Sequence, residues 1–284
     1  MPSLKSLRKR IGTVRSTQQI TKAMKMVAAA RLRRAQEAAE RARPYAQKLS
    51  EMFAAVAAGV DPALHPLLAR RDEGRIDVLV LTSDRGLCGG YNSNLLRFTE
   101  AFLREKRGLA TALVTVGRKG LEHFRRRGGD VVAHKIGVLT TPPNAMATEL
   151  AETLTARFVA SESDAVYLVY NRFRSAISQV PTVAPLLPVA PPADDVPAVD
   201  YIFEPDRAEL LGRLLPRYVA TQITQALLES IASEHGARMT AMENATNNAT
   251  EMIGQLTLSM NRARQATITK ELMEIVGGAE ALKG

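Results

Sequence analysis

Apolar residues recur at steps of three and four along the first part of the chain. They run Leu4, Leu7, Ile11 and Val14, then Ile20, Met24 and Val27, then Ala38, Ala42, Tyr45, Leu49, Met52 and Val56. This spacing is a helical seam of coiled-coil type. It predicts one long helix over roughly 3–58, about 80 Å long at 1.5 Å per residue. Pro44 lies inside it. Proline removes a backbone donor and clashes with the preceding turn, so a kink or break is expected near Arg43. A second seam runs through Val219, Ile223, Ala226, Leu227 and Ile231. It continues through Met239, Met242, Ala245, Ala249, Met252, Leu256, Met260 and Ala263. Its start, Asp206-Arg207-Ala208-Glu209, has the form of a capping box. A restart is expected at Pro216 and an end at Gly277-Gly278. Ala237, Ala241, Ala245 and Ala249 recur every fourth residue, a small stripe that lets two helices approach closely. Neither seam can bury its stripe alone, so the two ends are expected to pair as an antiparallel coiled coil.

Between the seams the pattern changes. A loop is read over 59–74, with Asp61-Pro62 and His65-Pro66 as turn signals. Strand-like runs follow at 76–82, 112–116, 131–136, 165–170 and 180–189. Helical stretches alternate with them near 92–106, 119–127 and 145–160. Strands alternating with helices predict a mainly parallel, Rossmann-like sheet with helical covers. Seven of the fourteen prolines lie between Pro181 and Pro205, which suggests an edge strand running into an extended linker. The expected organisation is an N-terminal helix over 1–58, an α/β domain over 75–192, and a C-terminal helix over 206–284 that pairs with the first.

Composition narrows the function classes. Tryptophan is absent and aromatics make up 5% of the chain, a balance that favours helix packing over a β-sandwich. Cys88 is the single cysteine, so an internal disulfide and a cysteine-based zinc site are excluded. The first residues hold no apolar run long enough for a secretory signal, and no stretch approaches a membrane span. The net charge is +9, and it is concentrated. Residues 1–50 hold thirteen Lys and Arg against Glu37 and Glu40, so the remainder is slightly acidic. An acidic partner is implied for the first helix: nucleic acid, an anionic membrane surface or an acidic protein loop.

Candidate chemistry is sparse. The turn Arg85-Gly86-Leu87-Cys88-Gly89-Gly90 resembles a phosphate cradle but lacks the Walker ending and the dinucleotide spacing. A tight βα turn is the favoured reading, with nucleotide binding as the alternative. His65, His123, His134 and His235 have no ligand partners at metal spacing. No catalytic pair stands out, and no cofactor or metal is called for. Nucleic-acid binding by the basic helix usually brings stacking aromatics, and Tyr45 is the only one in the first fifty residues. The stretch 233–249 places Gly236 and several Asn and Thr inside a helix, at a cost of about 1 kcal/mol for the glycine. Either the defects are tolerated on a surface, or this helix must fit closely inside something.

Four segments carry a specific resemblance. They are Ile20-Thr21-Lys22-Ala23-Met24-Lys25-Met26-Val27-Ala28-Ala29, Ser83-Asp84-Arg85-Gly86-Leu87-Cys88-Gly89-Gly90-Tyr91-Asn92, the stretch 233–249, and Asn261-Arg262-Ala263-Arg264-Gln265-Ala266-Thr267-Ile268-Thr269-Lys270-Glu271-Leu272. Together they resemble the gamma subunit of F-type ATP synthase over essentially the whole chain. The resemblance implies a non-catalytic rotor shaft, one copy per complex. Such a shaft stands in the hexameric ring of α and β subunits, and its α/β domain rests beside the epsilon subunit on the c-subunit ring. It couples proton flow to ATP synthesis. The implied coupling contacts to the α/β ring are Met24, Lys25, Arg238, Arg264, Gln265, Thr269 and Glu271. A guanidinium and an amide suit such contacts, because their directional bonds can break and re-form. The implied setting is peripheral, on the cytoplasmic face of a bacterial inner membrane, with no nucleic acid. Chloroplast members carry an extra cysteine pair that this chain lacks, so thiol switching is not expected. The competing expectations are a nucleic-acid-binding coiled coil and a small α/β enzyme with helical extensions.

Overall fold

A computed structural model describes residues 3–57, 65–190 and 206–281. The described residues fall into two compact units. One joins the chain up to Val27 with the chain from Met239 onward, and the other spans Ala28–Arg238. Helices α1 (Leu4–Ala57) and α5 (Arg207–Ala281) each contribute to both units.

The larger unit is an α/β domain. Its elements are β1 (Arg75–Leu81), α2 (Tyr91–Glu105), β2 (Ala110–Val116), α3 (Arg118–Arg126), β3 (Val131–Lys135), α4 (Pro143–Val159), β4 (Ala165–Ser175) and β5 (Ser178–Leu187). The sheet order is β3-β2-β1-β4-β5. β1 to β4 are parallel, and β5 closes one edge antiparallel to β4. β1 is buried from Ile76 to Leu81, as expected of a central strand covered on both faces. One face packs Ile76, Val78 and Val80 against Leu95 and Leu96 of α2 and Phe124 of α3. The other packs Leu79 and Leu81 against Leu150 and Leu154 of α4, Phe53 of α1, and Leu211, Leu215, Val219 and Ile223 of α5. Both long helices therefore act as covering layers for the sheet. At the top of β2, Gly117 sits at φ +88, where an added Cβ would stand 2.2 Å from the Thr82 carbonyl. Only glycine fits that crossing.

Several readings need correction. No break occurs at Pro44 or Pro216; each lies inside a continuous helix. Pro44 is exposed, while Ala42, Ala46 and Leu49 beside it are covered. Packing of the covered stripe outweighs one missing backbone bond. Gly277 and Gly278 do not end α5, which continues to Ala281. Neither takes a positive φ, and glycine permits a left-handed stop without imposing one. β4 runs five residues beyond the reading, to Ser175, and those residues pair only with β5. The Asp61-Pro62 turn and most of the proline-rich linker lie outside the described residues. At 206 half of the expected capping box forms: Glu209 N–H donates to Asp206 Oδ1 at 2.9 Å, while the Glu209 carboxylate pairs with Arg213 instead. An unforeseen cap opens α1, where Ser6 N–H donates to Ser3 Oγ at 3.2 Å.

The seam of α1 differs from the reading in the middle. A continuous covered stripe runs through Leu4, Leu7, Ile11, Val14, Gln18, Thr21, Lys25, Ala28, Leu32, Ala35, Ala39, Ala42, Ala46, Leu49, Phe53 and Val56, each buried or half-buried, with Met24 and Ala38 half-buried at its side. The steps alternate three and four without a slip, which is a heptad pattern. Ile20, Val27, Tyr45 and Met52, assigned to the seam from sequence, are exposed.

Candidate functional site

In the smaller unit α1 and α5 run antiparallel, and polar pairs mark the register. Gln18 Nε2 donates to Thr250 Oγ1 at 2.6 Å, the Thr21 and Thr246 hydroxyls lie 2.8 Å apart, and Lys25 Nζ meets Glu243 Oε1 at 2.6 Å. All of these side chains except Thr21, with Gln19, Lys22 and Asn247, line a polar groove of 380 Å³. Met24 is half-buried beside Lys25, and both Lys25 and Glu243 stay substantially solvated. Such a pair contributes at most about 1 kcal/mol, so its carboxylate can be exchanged for another at little cost.

Continuing that register sets Leu4 level with Arg264. Past this point α5 has no described partner in α1. Residues 264–278 are exposed without exception. This stretch carries Arg264, Gln265, Thr269 and Glu271. It also carries Ile268, Leu272, Ile275 and Val276, spaced along one helical stripe and roughly half or more exposed. Four of the residues implied by the resemblance thus share a bare helix end, and Lys25 lines the polar groove with the half-buried Met24 next to it in the chain.

Arg238 is elsewhere, in the α/β unit, and it is turned inward. Its side chain is 11% exposed. Nη2 donates to Glu234 Oε1 at 2.7 Å and to the Gly86 carbonyl at 3.3 Å. Burial pushes the Glu234 carboxyl up, and the Arg238 guanidinium pulls it back. Burial, with Arg238 and Arg31 nearby, lowers the His235 pKa to about 4, so this imidazole is neutral. Around this pair lies a buried polar cluster that sequence reasoning missed. The Tyr91 and Ser230 hydroxyls are 2.6 Å apart, Ser233 Oγ donates to the Asn171 carbonyl at 3.0 Å, and Asn171 Nδ2 donates to the Tyr91 carbonyl at 3.3 Å. The sequence signal was present in the polar letters of 230–238, but nothing there named their partners.

The turn at 83–90 is occupied by the protein itself. Ser83 N–H donates to Asn92 Oδ1 at 3.1 Å, and Ser83 Oγ donates to the Arg85 carbonyl at 2.7 Å. Asp84 accepts backbone N–H bonds from Arg118, Gly137 and Val138. Asn94 fills the space beside Gly90. This is the wiring of a structural turn that ties α2, α3 and the loop after β3 together. Cys88 is buried against Tyr91 and Ala237, and burial raises its thiol pKa. His123 lies 2.7 Å from Glu100 between α2 and α3, and burial lowers its pKa. Among the described residues no three His, Cys, Asp or Glu are grouped to hold a metal, and no helix is long and apolar enough to cross a membrane.

A family model described as ATP synthase matches residues 3–282. The ATP synthase gamma chain of Anaeromyxobacter dehalogenans is 56% identical, with both chains covered in full. That of Pelotomaculum thermopropionicum is 50% identical, again over the whole of both. Among solved structures, a chain of the central stalk and c-ring of Tetrahymena thermophila mitochondrial ATP synthase aligns with a TM-score of 0.62 and 29% identity, covering 80% of this chain and 99% of that one. A chain from Euglena gracilis mitochondrial ATP synthase shares the fold, with a TM-score of 0.69 at 22% identity, over 98% of this chain and 94% of that one. A full-length family match and full-length identity above half lead to one conclusion: this chain belongs to the ATP synthase gamma-chain family.

Proposed function

We propose that this chain is the central-stalk rotor subunit of a proton-translocating F-type ATP synthase. It does no ATP chemistry itself and couples proton flow to catalysis carried by the β subunits. The observation that carries this reading is the bare end of α5. A helix that outruns its partner and keeps an apolar stripe in water is incomplete by itself. A collar of α and β subunits would cover that stripe. Arg264, Gln265, Thr269 and Glu271 would then make polar contacts that exchange as the shaft turns, and Met24 and Lys25 would meet acidic loops of the same ring. Arg238, facing inward, would act through the chain's own structure. The α/β domain would sit at the foot, beside the epsilon subunit and on the c-subunit ring. One copy per complex, on the cytoplasmic face of a bacterial inner membrane, completes the proposal.

The test is native mass spectrometry of the chain co-expressed with α and β subunits from the same source. One copy per α/β hexamer is expected. A chain that stays free, or is recovered on nucleic acid, overturns the reading.

A further inference from the structure

We propose that the buried polar cluster around Glu234 is a register lock, fixing the rotational and axial setting of α5 on the α/β domain, and that Glu234 is its positioning residue. The proposal rests on the stalk reading above. The two halves of the α5 seat differ in kind. From Leu211 to Leu227 the contact with the sheet is apolar. Apolar burial is strong but non-directional, so a helix can turn or slide on such a seat with little penalty. From Ser230 to Arg238 the packing is joined by hydrogen bonds whose partners come from three separate places. Ser230 meets Tyr91 at the start of α2, Ser233 meets the Asn171 carbonyl on β4, and Arg238 meets the Gly86 carbonyl in the turn before α2. These bonds are short-ranged and directional, and a rotation of α5 breaks all three together.

Glu234 is central because it makes none of the cross-contacts itself. It is 2% exposed and holds the Arg238 guanidinium one helical turn away. A buried carboxylate beside a buried guanidinium adds little net stability over an apolar pair. The pair lies within α5 and travels with it; its use here is to hold the guanidinium aimed at the Gly86 carbonyl, the one bond of the pair that crosses to the domain. The neutral state of His235 fits this arrangement: its ring adds no third charge beside Arg238 and Arg31. In a rotor, torque that enters at the foot must pass from the α/β domain into α5. An apolar seat alone would let the helix lag behind the domain, and the lock removes that freedom.

The experiment uses the assembled, membrane-reconstituted complex and reads proton pumping per ATP hydrolysed, normalised to the chain incorporated. Alongside it, the angular spread of a probe on the α/β domain is recorded during single-molecule rotation. With Glu234→Ala the pumping-to-hydrolysis ratio is expected to fall about tenfold, the factor equivalent to roughly 1.4 kcal/mol. The angular spread should widen. Glu234→Gln, whose amide oxygen still accepts from Arg238, should recover part of the loss. Tyr91→Phe, which keeps the ring and deletes one cross-contact, should widen the spread in its own right. Pumping and hydrolysis falling in parallel with unchanged spread would mean a merely structural group and would overturn the lock. So would wild-type behaviour in all three variants. If the unaltered chain itself fails to support pumping, the stalk reading falls and the lock falls with it.

Discussion

Gly236 of α5 lies against Ala176 at the tip of the β4–β5 hairpin: an added Cβ would stand 3.2 Å from both the Cα and the carbonyl oxygen of Ala176, and 3.5 Å from the Phe173 ring. A glycine that looked like a defect in a long helix is the seat of a hairpin from the same domain. Gly236→Leu cannot be accommodated without moving that backbone, so it should destabilise the α/β domain by about 1–3 kcal/mol despite better helix propensity. Amide exchange should speed up over 172–179. Unchanged exchange there would show that the hairpin does not depend on this contact.

This glycine also shows why part of the molecule was hidden in the sequence. The heptad of α1 was legible at Leu4, Leu7, Ile11, Val14, Leu49 and Val56, while Leu32 and Phe53 were passed over. It was lost where Gln18, Thr21 and Lys25 take three consecutive seam positions, because the apolar letters nearby belong to Ile20 and Val27, which are exposed, and to Met24, which is half-buried beside the seam. Hydrophobicity marks a seam only when the seam is dry, and this one is crossed by polar pairs. The parallel sheet was readable because β1 is an unbroken apolar run between turn signals. Gly86-Leu87-Cys88-Gly89-Gly90 was readable as a turn. Its task of receiving Arg238 was not, since that contact joins residues 152 positions apart.

The polar seam makes a prediction of its own. Thr21 Oγ1 and Thr246 Oγ1 face each other at 2.8 Å, while each is also placed to donate to its own helix, to Gln18 O and Met242 O. A hydroxyl has one proton, so both helical bonds and the cross-bond cannot form together. Replacing both residues with valine removes both hydroxyls at nearly constant shape and similar helix propensity. The double variant Thr21→Val with Thr246→Val is expected to be as stable as the parent or more so. Hydrogen-exchange protection over 14–25 measures it, and lower protection in the double variant would refute the argument.

Asp77 and Arg157 form a bidentate pair at 2.8 and 3.2 Å, with Asp77 only 1% exposed and Arg157 21% exposed. The two halves are therefore not equivalent. Arg157→Ala strands a buried carboxylate, at a cost on the order of 3–5 kcal/mol. Asp77→Ala leaves a guanidinium that still has Glu162 and an outlet to water, and should cost less. Chemical denaturation of both variants settles the order; equal losses would contradict it.

His235 should make the domain sensitive to acid. Its folded pKa of about 4 lies below the ordinary 6.5, so below pH 6.5 the unfolded chain binds the proton more readily. The stability that His235 contributes is complete above about pH 6.5 and is lost as pH falls toward 4. The gap corresponds to roughly 3 kcal/mol. Glu234, whose carboxyl is raised by burial, works in the opposite sense as it takes up a proton in the fold. Comparing His235→Gln with the parent isolates the imidazole. The variant should lose less stability between pH 6.5 and 4 than the parent, by up to about 3 kcal/mol. Parallel stability curves would mean that the ring is already solvated.

Arg264 separates coupling from folding. It is exposed at the level where the paired register runs out, and none of the described residues forms an ion pair with it. Removing such a side chain should change the stability of the isolated chain by no more than about 0.5 kcal/mol. In the assembled complex the expected result is different: Arg264→Ala slows ATP hydrolysis or uncouples it from proton pumping, because a directional charged contact with the ring is missing. Gln265→Ala should act in the same direction and more weakly, since an amide makes neutral bonds. Lys25→Ala supplies the contrast from the other helix, where the lost partner Glu243 lies within the chain itself. A melting temperature that drops with Arg264→Ala would assign the residue to the fold. Unchanged hydrolysis and pumping would remove it from the coupling contacts and leave the apolar stripe of Ile268, Leu272, Ile275 and Val276 as the part of the helix end that meets the ring.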